Sequence, residues 1–192
     1  MLLRIFFNLS LLFFNFALFA QQSYIDYRSP FHPTVTKSGM VVSQNIDSSK
    51  IGVEILDMGG NAIDAAVAVG FSLAITLPRA GNLGGGGFLL VYIKEKDEIV
   101  SIDYRGASSL NADLFKIFQK KLPEKYNEIN RDLVRYGYMA STTPGTVAGL
   151  LEAHKLYGSL PLKAILAPVI KQASDGILVS YDLHNAIRSA PQ

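Results

Sequence analysis

The sequence contains no cysteine and no tryptophan, and only three of its 192 residues are histidines. Without cysteine there is no disulfide framework, no thiolate metal site and no acylated lipoprotein cysteine. The three histidines, His32, His154 and His184, are not spaced as a metal-binding pair, so each is predicted to lie at the surface or at a helix cap. The sequence therefore predicts no metal site, and nothing in it calls for a cofactor.

A strong charge of either sign is also missing. Lysine and arginine total 18 and aspartate and glutamate 16, which gives a net charge of +2. This balance favours neither nucleic acid nor an anionic membrane surface as a partner. The hydrophobic content of 49% is sufficient for one domain with a real core.

The one long apolar run lies at the N-terminus. Residues 1–20 have the pattern of a secretory signal: Arg4 is the positive charge, residues 5–19 form a mostly apolar region, and Ala20 precedes a plausible cleavage point. The run is shorter than the ~20 residues that a membrane-spanning helix needs, and no basic cluster follows it. We predict a cleaved signal peptide rather than a stable membrane span, with a mature chain that begins near Gln21 in the periplasm or outside the cell.

Four consecutive glycines, Gly84–Gly87, stand between an alanine-rich segment and a strand-like one. Glycine loses much backbone entropy on folding, so such a run indicates a close approach of the backbone to something else. A phosphate-binding loop is the obvious alternative, but the run lacks the G-x-G-x-x-G spacing and a following Lys-Ser/Thr. Phosphate loops also lead from a strand into a helix, whereas here a helix ends at Pro78 and Phe88 begins a strand. We interpret the run as architectural, allowing a buried helix and a strand to approach closely.

The first half of the chain predicts a strand and two helices. Residues 39–44 are an apolar run between turn-forming residues, typical of a short strand. Asp47 is a good N-cap for a first helix. Asn61 and Asp64 form a possible capping box for a second helix over residues 62–77. Because the second helix is apolar on nearly every face, it is predicted to be buried between layers.

The second half predicts a β-hairpin and two more helices. Residues 88–93 and 99–104 are the predicted hairpin strands, and residues 146–157 and 162–173 are the two amphipathic helices. The intervening residues 111–137 are more polar and only weakly helical. This order of elements predicts an α+β fold built in layers.

Four motifs occur in register along the chain: Gly-Gly-Asn-Ala-Ile-Asp-Ala-Ala-Val-Ala at 59–68, Ala-Gly-Asn-Leu-Gly-Gly-Gly-Gly-Phe at 80–88, Ile-Asp-Tyr-Arg at 102–105 and Thr-Pro-Gly-Thr-Val-Ala-Gly at 143–149. Together they closely resemble the N-terminal part of the large subunit of bacterial γ-glutamyltransferase, also called γ-glutamyltranspeptidase or glutathione hydrolase. The likeness extends from about residue 31 to the C-terminus. We therefore expect residues 21–192 to be an N-terminal fragment of that large-subunit domain.

The resemblance implies a fold of the N-terminal nucleophile hydrolase type, exported and then cut into large and small subunits. Family members form an αββα sandwich whose two sheets are shared between the subunits. This chain is then expected to form a partial sandwich, incomplete without the small-subunit strands and with an unpaired sheet edge. Because family members are much longer, the resemblance also implies a truncated chain that needs a small-subunit-like chain for activity.

The family reaction uses a threonine that becomes the N-terminus of the small subunit. Its hydroxyl attacks the γ-amide carbonyl of glutathione, its freed amine can act as the base, and the γ-glutamyl ester passes to water or an acceptor amine. The threonine run that leads into a histidine is absent here, so no catalytic residue is assigned. Thr142 and Thr143 form the only Thr-Thr pair. They match a large-subunit stretch in which the family is not cut, and Pro144-Gly145 after them is typical of a turn before a helix.

Arg105 matches the large-subunit arginine that holds the α-carboxylate of the γ-glutamyl group. A guanidinium suits this role because it can donate two parallel hydrogen bonds to a carboxylate; the alternative is a surface arginine at a strand end. The family usually has glutamate next, where this chain has Gly106. Its loss is expected to loosen Arg105 or weaken contact with the substrate amine, and a glutamate restored at 106 is expected to help or be neutral. Asp64 and Asp103 are interpreted as a helix cap and a strand-end partner, not as a catalytic pair.

Three functional hypotheses remain open. The chain is an N-terminal piece of a γ-glutamyltransferase that is inactive alone, one chain of a split active enzyme, or a non-enzymatic periplasmic interaction protein that reuses the fragment. The first is favoured. If a complementing chain is present, the expected ligands are glutathione or other γ-glutamyl compounds.

Overall fold

The computed structural model describes residues 33–108 and 141–189. Residues 33–38 belong to a first unit and carry no helix or strand, and all the other described residues belong to a second unit. The predicted signal peptide at 1–20, His32 and the weakly helical segment 111–137 lie outside the described residues. No helix in the described ranges is long and apolar enough to cross a membrane.

The described part of the second unit contains five helices and two strands. In chain order they are α1 Ile46–Asp57, α2 Ala62–Thr76, β1 Phe88–Ile93, β2 Glu98–Asp103, α3 Thr146–Tyr157, α4 Leu162–Asp175 and α5 Tyr181–Arg188. The predicted mixture of helices and strands is confirmed. The predicted helices at α2, α3 and α4 and the predicted hairpin are confirmed within two residues at each end.

The segment before α1 differs from the prediction in two respects. Residues 39–44 do not form a strand. A β-carbon on Gly52 of α1 would lie 2.7 Å from Val41 Cγ1, so Val41 packs against helix α1, whereas Met40 and Val42 are exposed. The N-cap is Asn45 rather than Asp47, because the Asn45 side chain accepts the backbone N–H of Asp47 at 2.9 Å and of Ser48 at 3.1 Å.

Helix α2 is the centre of the second unit and packs against α1, α3 and α4. It begins with the predicted capping box: the Asn61 side chain accepts the N–H groups of Ile63 and Asp64, and Asp64 Oδ2 accepts the N–H of Asn61 at 2.9 Å. Every residue of α2 after Ala62 is buried or half-buried. The predicted burial of α2 is therefore confirmed, and most of its buried surface packs against the other helices.

The fully buried core lies where these helices meet. Its members with 1% exposure or less include Ile55, Val67, Ala68, Ala153 and Ile165. Each of helices α1 to α4 contributes at least one of them, so this core joins residues that are up to 110 positions apart. Burial of such aliphatic side chains is the main source of stability in a chain without disulfides.

A buried hydrogen-bonded cluster of polar side chains, the hydroxyl cluster, also joins α1, α2 and α4. Ser72 Oγ donates to Gln172 Oε1 at 2.7 Å and lies 2.8 Å from Ser48 Oγ, which lies 2.9 Å from Thr76 Oγ1. Thr76 Oγ1 also donates to the carbonyl of Ser72 at 3.2 Å. Buried polar atoms are costly unless they are paired. The cluster therefore favours one register of the three helices.

Strands β1 and β2 form an antiparallel hairpin, paired from Phe88 opposite Asp103 to Ile93 opposite Glu98. Side chains alternate between the two faces of the hairpin. Leu89, Val91 and Ile102 pack against the helical core. The opposite face, here called the outer hairpin face, consists of four large side chains that are 59–72% exposed: Phe88, Leu90, Tyr92 and Ile99.

The C-terminal helix α5 was not predicted from the sequence. The Ser180 side chain caps it by accepting the N–H of Leu183 at 3.1 Å. Arg79, three residues beyond the end of α2, donates to both carboxylate oxygens of Asp182 at 2.8–3.1 Å. The N-cap Ser180, an acidic residue in the first turn and Arg188 in the last turn were available signals for this helix.

Candidate functional site

The candidate site lies at the end of β2, where the chain continues as Tyr104, Arg105 and Gly106. Pairing with the glycine run extends beyond the strands, because Tyr104 N–H donates to Gly87 O at 3.0 Å and Gly87 N–H to Tyr104 O at 3.4 Å. These contacts fix the backbone immediately before Arg105.

The turn before α3 packs against the same place. Thr143 N–H donates to Ala107 O at 2.8 Å, and the N–H groups of Gly145 and Thr146 both donate to Gly85 O at 2.8 and 3.1 Å. Three distant segments therefore meet here, and the predicted helix-leading turn at Pro144-Gly145 is confirmed by the start of α3 at Thr146.

A groove of about 330 Å³ lies between the end of β2 and the first turns of α3. Its lining includes Asp103, Arg105 and Glu152, so it presents one guanidinium and two carboxylates. Thr143 and Gly149 are also part of the lining. A groove with both signs of charge can bind a ligand that carries a carboxylate and an ammonium group.

Arg105 is held by its backbone, and its side chain is exposed. Its N–H donates to Asp103 Oδ1 at 2.9 Å, which confirms the prediction that Asp103 is a strand-end partner. Within residues 33–108 and 141–189, the Arg105 guanidinium makes no hydrogen bond or ion pair, whereas Arg79 is bonded to both oxygens of Asp182. Arg105 is therefore free to bind a carboxylate that enters the groove.

The position after Arg105 is closely packed. A β-carbon on Gly106 would lie 2.3 Å from Thr142 Oγ1, 3.0 Å from Thr142 Cβ and 3.2 Å from the carbonyl oxygen of Thr143. A side chain at 106 would therefore require Thr142 to move, which counts against the expectation that a glutamate at 106 would help or be neutral. Thr142 occupies the space that a side chain at 106 would need.

Tyr104 occupies a slot with glycine walls. A β-carbon on Gly149 would lie 2.1 Å from Tyr104 Cγ, and one on Gly87 would lie 2.9 Å from Tyr104 Cε2. The main chain is equally close, because a β-carbon on Gly145 would lie 1.9 Å from Tyr104 O and one on Gly86 would lie 2.6 Å from it. Burial in this slot raises the pKa of the Tyr104 phenol. The glycine run is architectural as predicted, but it approaches the segment around Tyr104 rather than a buried helix.

Asp64 lies elsewhere and has a structural role, as predicted. Its carboxylate is fully buried and accepts hydrogen bonds from Asn61, Ser159 and Leu160. Burial raises the pKa of Asp64, but the hydrogen bonds from Ser159, Asn61 and Leu160 outweigh it, so the pKa lies below its usual value.

The two described histidines are placed differently. His184 is exposed, as predicted. His154 is half-buried, with Nε2 2.8 Å from the carbonyl oxygen of Leu160, so it holds the loop after α3 and does not lie on the surface. In the part of the chain that the structure describes, no group of three or more His, Cys, Asp or Glu side chains could hold a metal.

The sequence singled out Arg105 but not the packing of Tyr104. The available signal was an aromatic residue directly before the arginine, together with small residues at 145 and 149 on the facing turn and helix. Without the tertiary structure nothing connects these positions, which are about 40 residues apart.

Comparison with protein families gives one match over most of the chain: the family model for gamma-glutamyltranspeptidase matches residues 48–192. Among curated proteins, the glutathione hydrolase proenzyme of Escherichia coli (strain K12) is 42% identical over 161 residues, covering 83% of this chain and 26% of that protein. The proenzyme of the same name from Pseudomonas aeruginosa is 40% identical over 142 residues, covering 74% and 24%.

Solved structures give the same result. The gamma-glutamyltranspeptidase of Helicobacter pylori matches with a TM-score of 0.70 and 36% identity over 83% of this chain and 44% of that one. The enzyme from Pseudomonas nitroreducens, complexed with L-DON, matches with a TM-score of 0.71 and 37% identity over 80% and 44%. The chain spans about a quarter of the length of these curated relatives and less than half of these solved chains.

Proposed function

Because this chain belongs to the gamma-glutamyltranspeptidase family, we propose that it forms the part of a γ-glutamyltransferase or glutathione hydrolase that holds the γ-glutamyl group of the substrate. Arg105 binds the α-carboxylate of that group in the groove at the end of β2. The observation that supports this assignment most directly is the Arg105 side chain, which lines the groove without a partner among the described residues while its backbone is fixed by Asp103.

The charges of the groove suit a γ-glutamyl group. Its free end carries an α-carboxylate and an α-ammonium group, and the groove carries the Arg105 guanidinium beside the carboxylates of Asp103 and Glu152. A planar guanidinium can donate two parallel hydrogen bonds to the carboxylate, which fixes its orientation as well as its position. The γ-amide at the other end of the group would then be held at a defined place for attack.

The proposed reaction needs a nucleophile that Arg105, Asp103 and Glu152 do not provide. A threonine hydroxyl adds to the γ-amide carbonyl, the amide C–N bond breaks, and the leaving amine takes up the hydroxyl proton. Water or an acceptor amine then cleaves the resulting γ-glutamyl ester and releases the threonine. Thr143 is unsuited to this role because its N–H is an amide that donates to Ala107 O. We expect the nucleophile to come from a segment that pairs with this one, on the same or another chain.

The outer hairpin face supports a small-subunit-like partner. Phe88, Leu90, Tyr92 and Ile99 expose a row of large apolar side chains, and the two-stranded hairpin has unpaired edges within the described residues. Exposed apolar faces and unpaired strand edges are places where further strands can be added, and such strands would cover this face. We propose that the partner supplies these strands and completes an αββα sandwich, and that residues 1–20 direct the chain to the periplasm or the medium.

The test is a chimera in which this chain replaces the matched segment of the E. coli proenzyme. We expect the chimera to hydrolyse γ-glutamyl substrates. Arg105→Ala should lower kcat/KM by a factor that corresponds to a loss of about 2–5 kcal/mol in transition-state binding. Arg105→Lys should also lower it substantially, because lysine keeps the charge but loses the planar fork. Arg79→Ala is the matched control, since it removes an arginine that is bonded to Asp182 and distant in sequence from the groove.

Near-wild-type kcat/KM for Arg105→Ala in an active chimera would show that Arg105 is only a strand-end surface residue. If the chimera is inactive, calorimetric titration of the full chain with L-glutamate provides a second measurement. Binding that is lost in Arg105→Ala and kept in Arg79→Ala supports the proposal. Equal binding by both variants contradicts it.

A further inference from the structure

Tyr104 and Arg105 both line the groove at the end of β2, but the Tyr104 side chain is half-buried whereas that of Arg105 is exposed. The Tyr104 ring is half-buried, with Gly149 against Cβ, Cγ and Cδ1 and Gly87 against Cε2, Cζ and Oη. Contacts at both ends of the ring leave it little freedom to move.

The main chain at Tyr104 is held as closely as the ring. Its carbonyl oxygen would be 1.9 Å from a β-carbon on Gly145 and 2.6 Å from one on Gly86, so only glycine permits these approaches without a shift. This carbonyl also accepts the N–H of Gly87 at 3.4 Å. The peptide that joins Tyr104 to Arg105 is therefore packed between the glycine run and the turn before α3.

We propose that Tyr104 is a positioning residue for Arg105. The ring, fixed between Gly87 and Gly149, sets the direction in which the chain leaves β2, and so determines where the Arg105 guanidinium lies in the groove. A bidentate contact requires the guanidinium to be placed within a fraction of an ångström, so the slot provides preorganisation that a strand end lacks. The ligand that Arg105 binds is taken from the proposed function, but the coupling of Tyr104 to Arg105 does not depend on it.

The slot can be disturbed by one methyl group. A β-carbon on Gly87 would lie 2.9, 3.0 and 3.1 Å from Tyr104 Cε2, Oη and Cζ, so Gly87→Ala displaces the ring. Gly84→Ala is the matched control from the same run, because its β-carbon would meet only Asn82 Oδ1 at 3.4 Å. Tyr104→Phe keeps the ring, whereas Tyr104→Leu removes its far end and leaves room for a methyl group at 87.

Two measurements on the full chain test the proposal: hydrogen exchange of the Arg105 N–H, and the Kd for L-glutamate. For Gly87→Ala we expect exchange about tenfold faster and binding about tenfold weaker, with neither change in Gly84→Ala or Tyr104→Phe. Tyr104→Leu should weaken binding in the same way, and adding Gly87→Ala to Tyr104→Leu should have little further effect. Adding Gly87→Ala to Arg105→Ala should not change the residual affinity.

Unchanged exchange and affinity in Gly87→Ala would overturn the proposal, as would equal changes in Gly84→Ala. The proposal is also overturned if Gly87→Ala weakens binding as much in the Arg105→Ala variant as in the wild-type chain, because the effect then does not act through Arg105. If Gly87→Ala does not fold, a Tyr104→Leu variant with wild-type affinity would contradict the proposal by itself. A wild-type chain that binds no L-glutamate counts against the proposed function, and the exchange rates then decide the positioning role alone.

Discussion

The Asp64 carboxylate accepts hydrogen bonds from both the backbone N–H and the hydroxyl of Ser159, which lies 95 residues further along the chain. The first of these is 3.1 Å long and the second 2.5 Å. The same carboxylate completes the capping box of α2 by accepting the N–H of Asn61. One buried side chain therefore joins the start of α2 to the loop between α3 and α4.

Asp64→Asn is expected to lower the free energy of unfolding by about 1–3 kcal/mol, because the side chain loses its negative charge and one of its two acceptor oxygens. Since the folded pKa of Asp64 is lowered, its stabilisation is present above the pKa of an unfolded aspartate, about 3.9. It is lost as the pH falls through the folded pKa. Urea unfolding between pH 7 and pH 3 should therefore show a flatter pH dependence for Asp64→Asn than for wild type.

The control for this experiment is Asp47→Asn, which changes an exposed acidic residue in the first turn of α1. It should leave the stability of the chain nearly unchanged at pH 7. Equal losses for the two variants would contradict a special role for the buried carboxylate.

The isolated chain of residues 21–192 is expected to release no glutamate from glutathione or from γ-glutamyl anilides. Neither threonine of this turn is suited to act as the nucleophile, since the Thr143 N–H is an amide that donates a hydrogen bond to Ala107 O and Thr142 packs against Gly106. Chromatographic assay of glutamate should give the same background for wild type, Thr142→Ala and Thr143→Ala. Turnover that either substitution abolishes would place the nucleophile in this turn and overturn the assignment.

Gly106→Glu is expected to destabilise the chain by about 1–3 kcal/mol, because its β-carbon would overlap Thr142. Thr142→Gly removes both of the Thr142 atoms concerned, so the double variant should recover much of the loss relative to Thr142→Gly alone. Chemical denaturation of the four proteins measures this coupling. Additive effects would mean that the contact with Thr142 does not determine the choice of glycine at 106.

The outer hairpin face is expected to make the isolated chain prone to self-association. Leu90→Lys should reduce light scattering and binding of a hydrophobic dye, while changing the unfolding free energy by no more than about 0.5 kcal/mol. Val91→Lys, one residue further on the face that packs against the core, is the matched control and should be strongly destabilising. Equal destabilisation by the two variants would mean that Leu90 is already covered in the chain alone.

The N-terminal pattern predicts export. Because Arg4 and the mostly apolar residues 5–19 precede a small residue at Ala20, N-terminal sequencing of the mature protein should begin near Gln21 in material from outside the cytoplasm. Arg4→Glu, which reverses the charge of the signal, should slow processing. An intact Met1 on protein from the cytosol would contradict this prediction.

Local signals explain which parts of the fold the sequence predicts. Asn61 and Asp64 lie at fixed offsets in a capping box, so the start of α2 is read directly from the chain. Residues 39–44 were predicted wrongly because a short apolar run has the same pattern whether it pairs in a sheet or packs on a helix. Val41 of this run packs on helix α1. Asn45 and Asp47 are both good N-caps, and their spacing does not decide between them.

One part of the candidate site is likewise predicted from the sequence, and another part is not. Arg105 is found from the sequence because the motifs around it resemble those of a known family. The slot around Tyr104 is not, because its walls come from Gly87 and Gly149, which are near Tyr104 only after the hairpin has packed on α3. Close approaches between distant segments depend on tertiary structure, and a glycine in the sequence does not reveal which residue it faces.

The hydroxyl cluster of α1, α2 and α4 has a consequence for how this part of the protein can evolve. Ser48, Ser72 and Thr76 are buried and each needs a hydrogen-bond partner there, and Ser72 also donates to the half-buried Gln172. An apolar substitution at one of them leaves a donor or an acceptor unsatisfied at another. These positions are thus expected to be inherited as a set, and related chains should either keep all the polar side chains or replace them together by apolar ones.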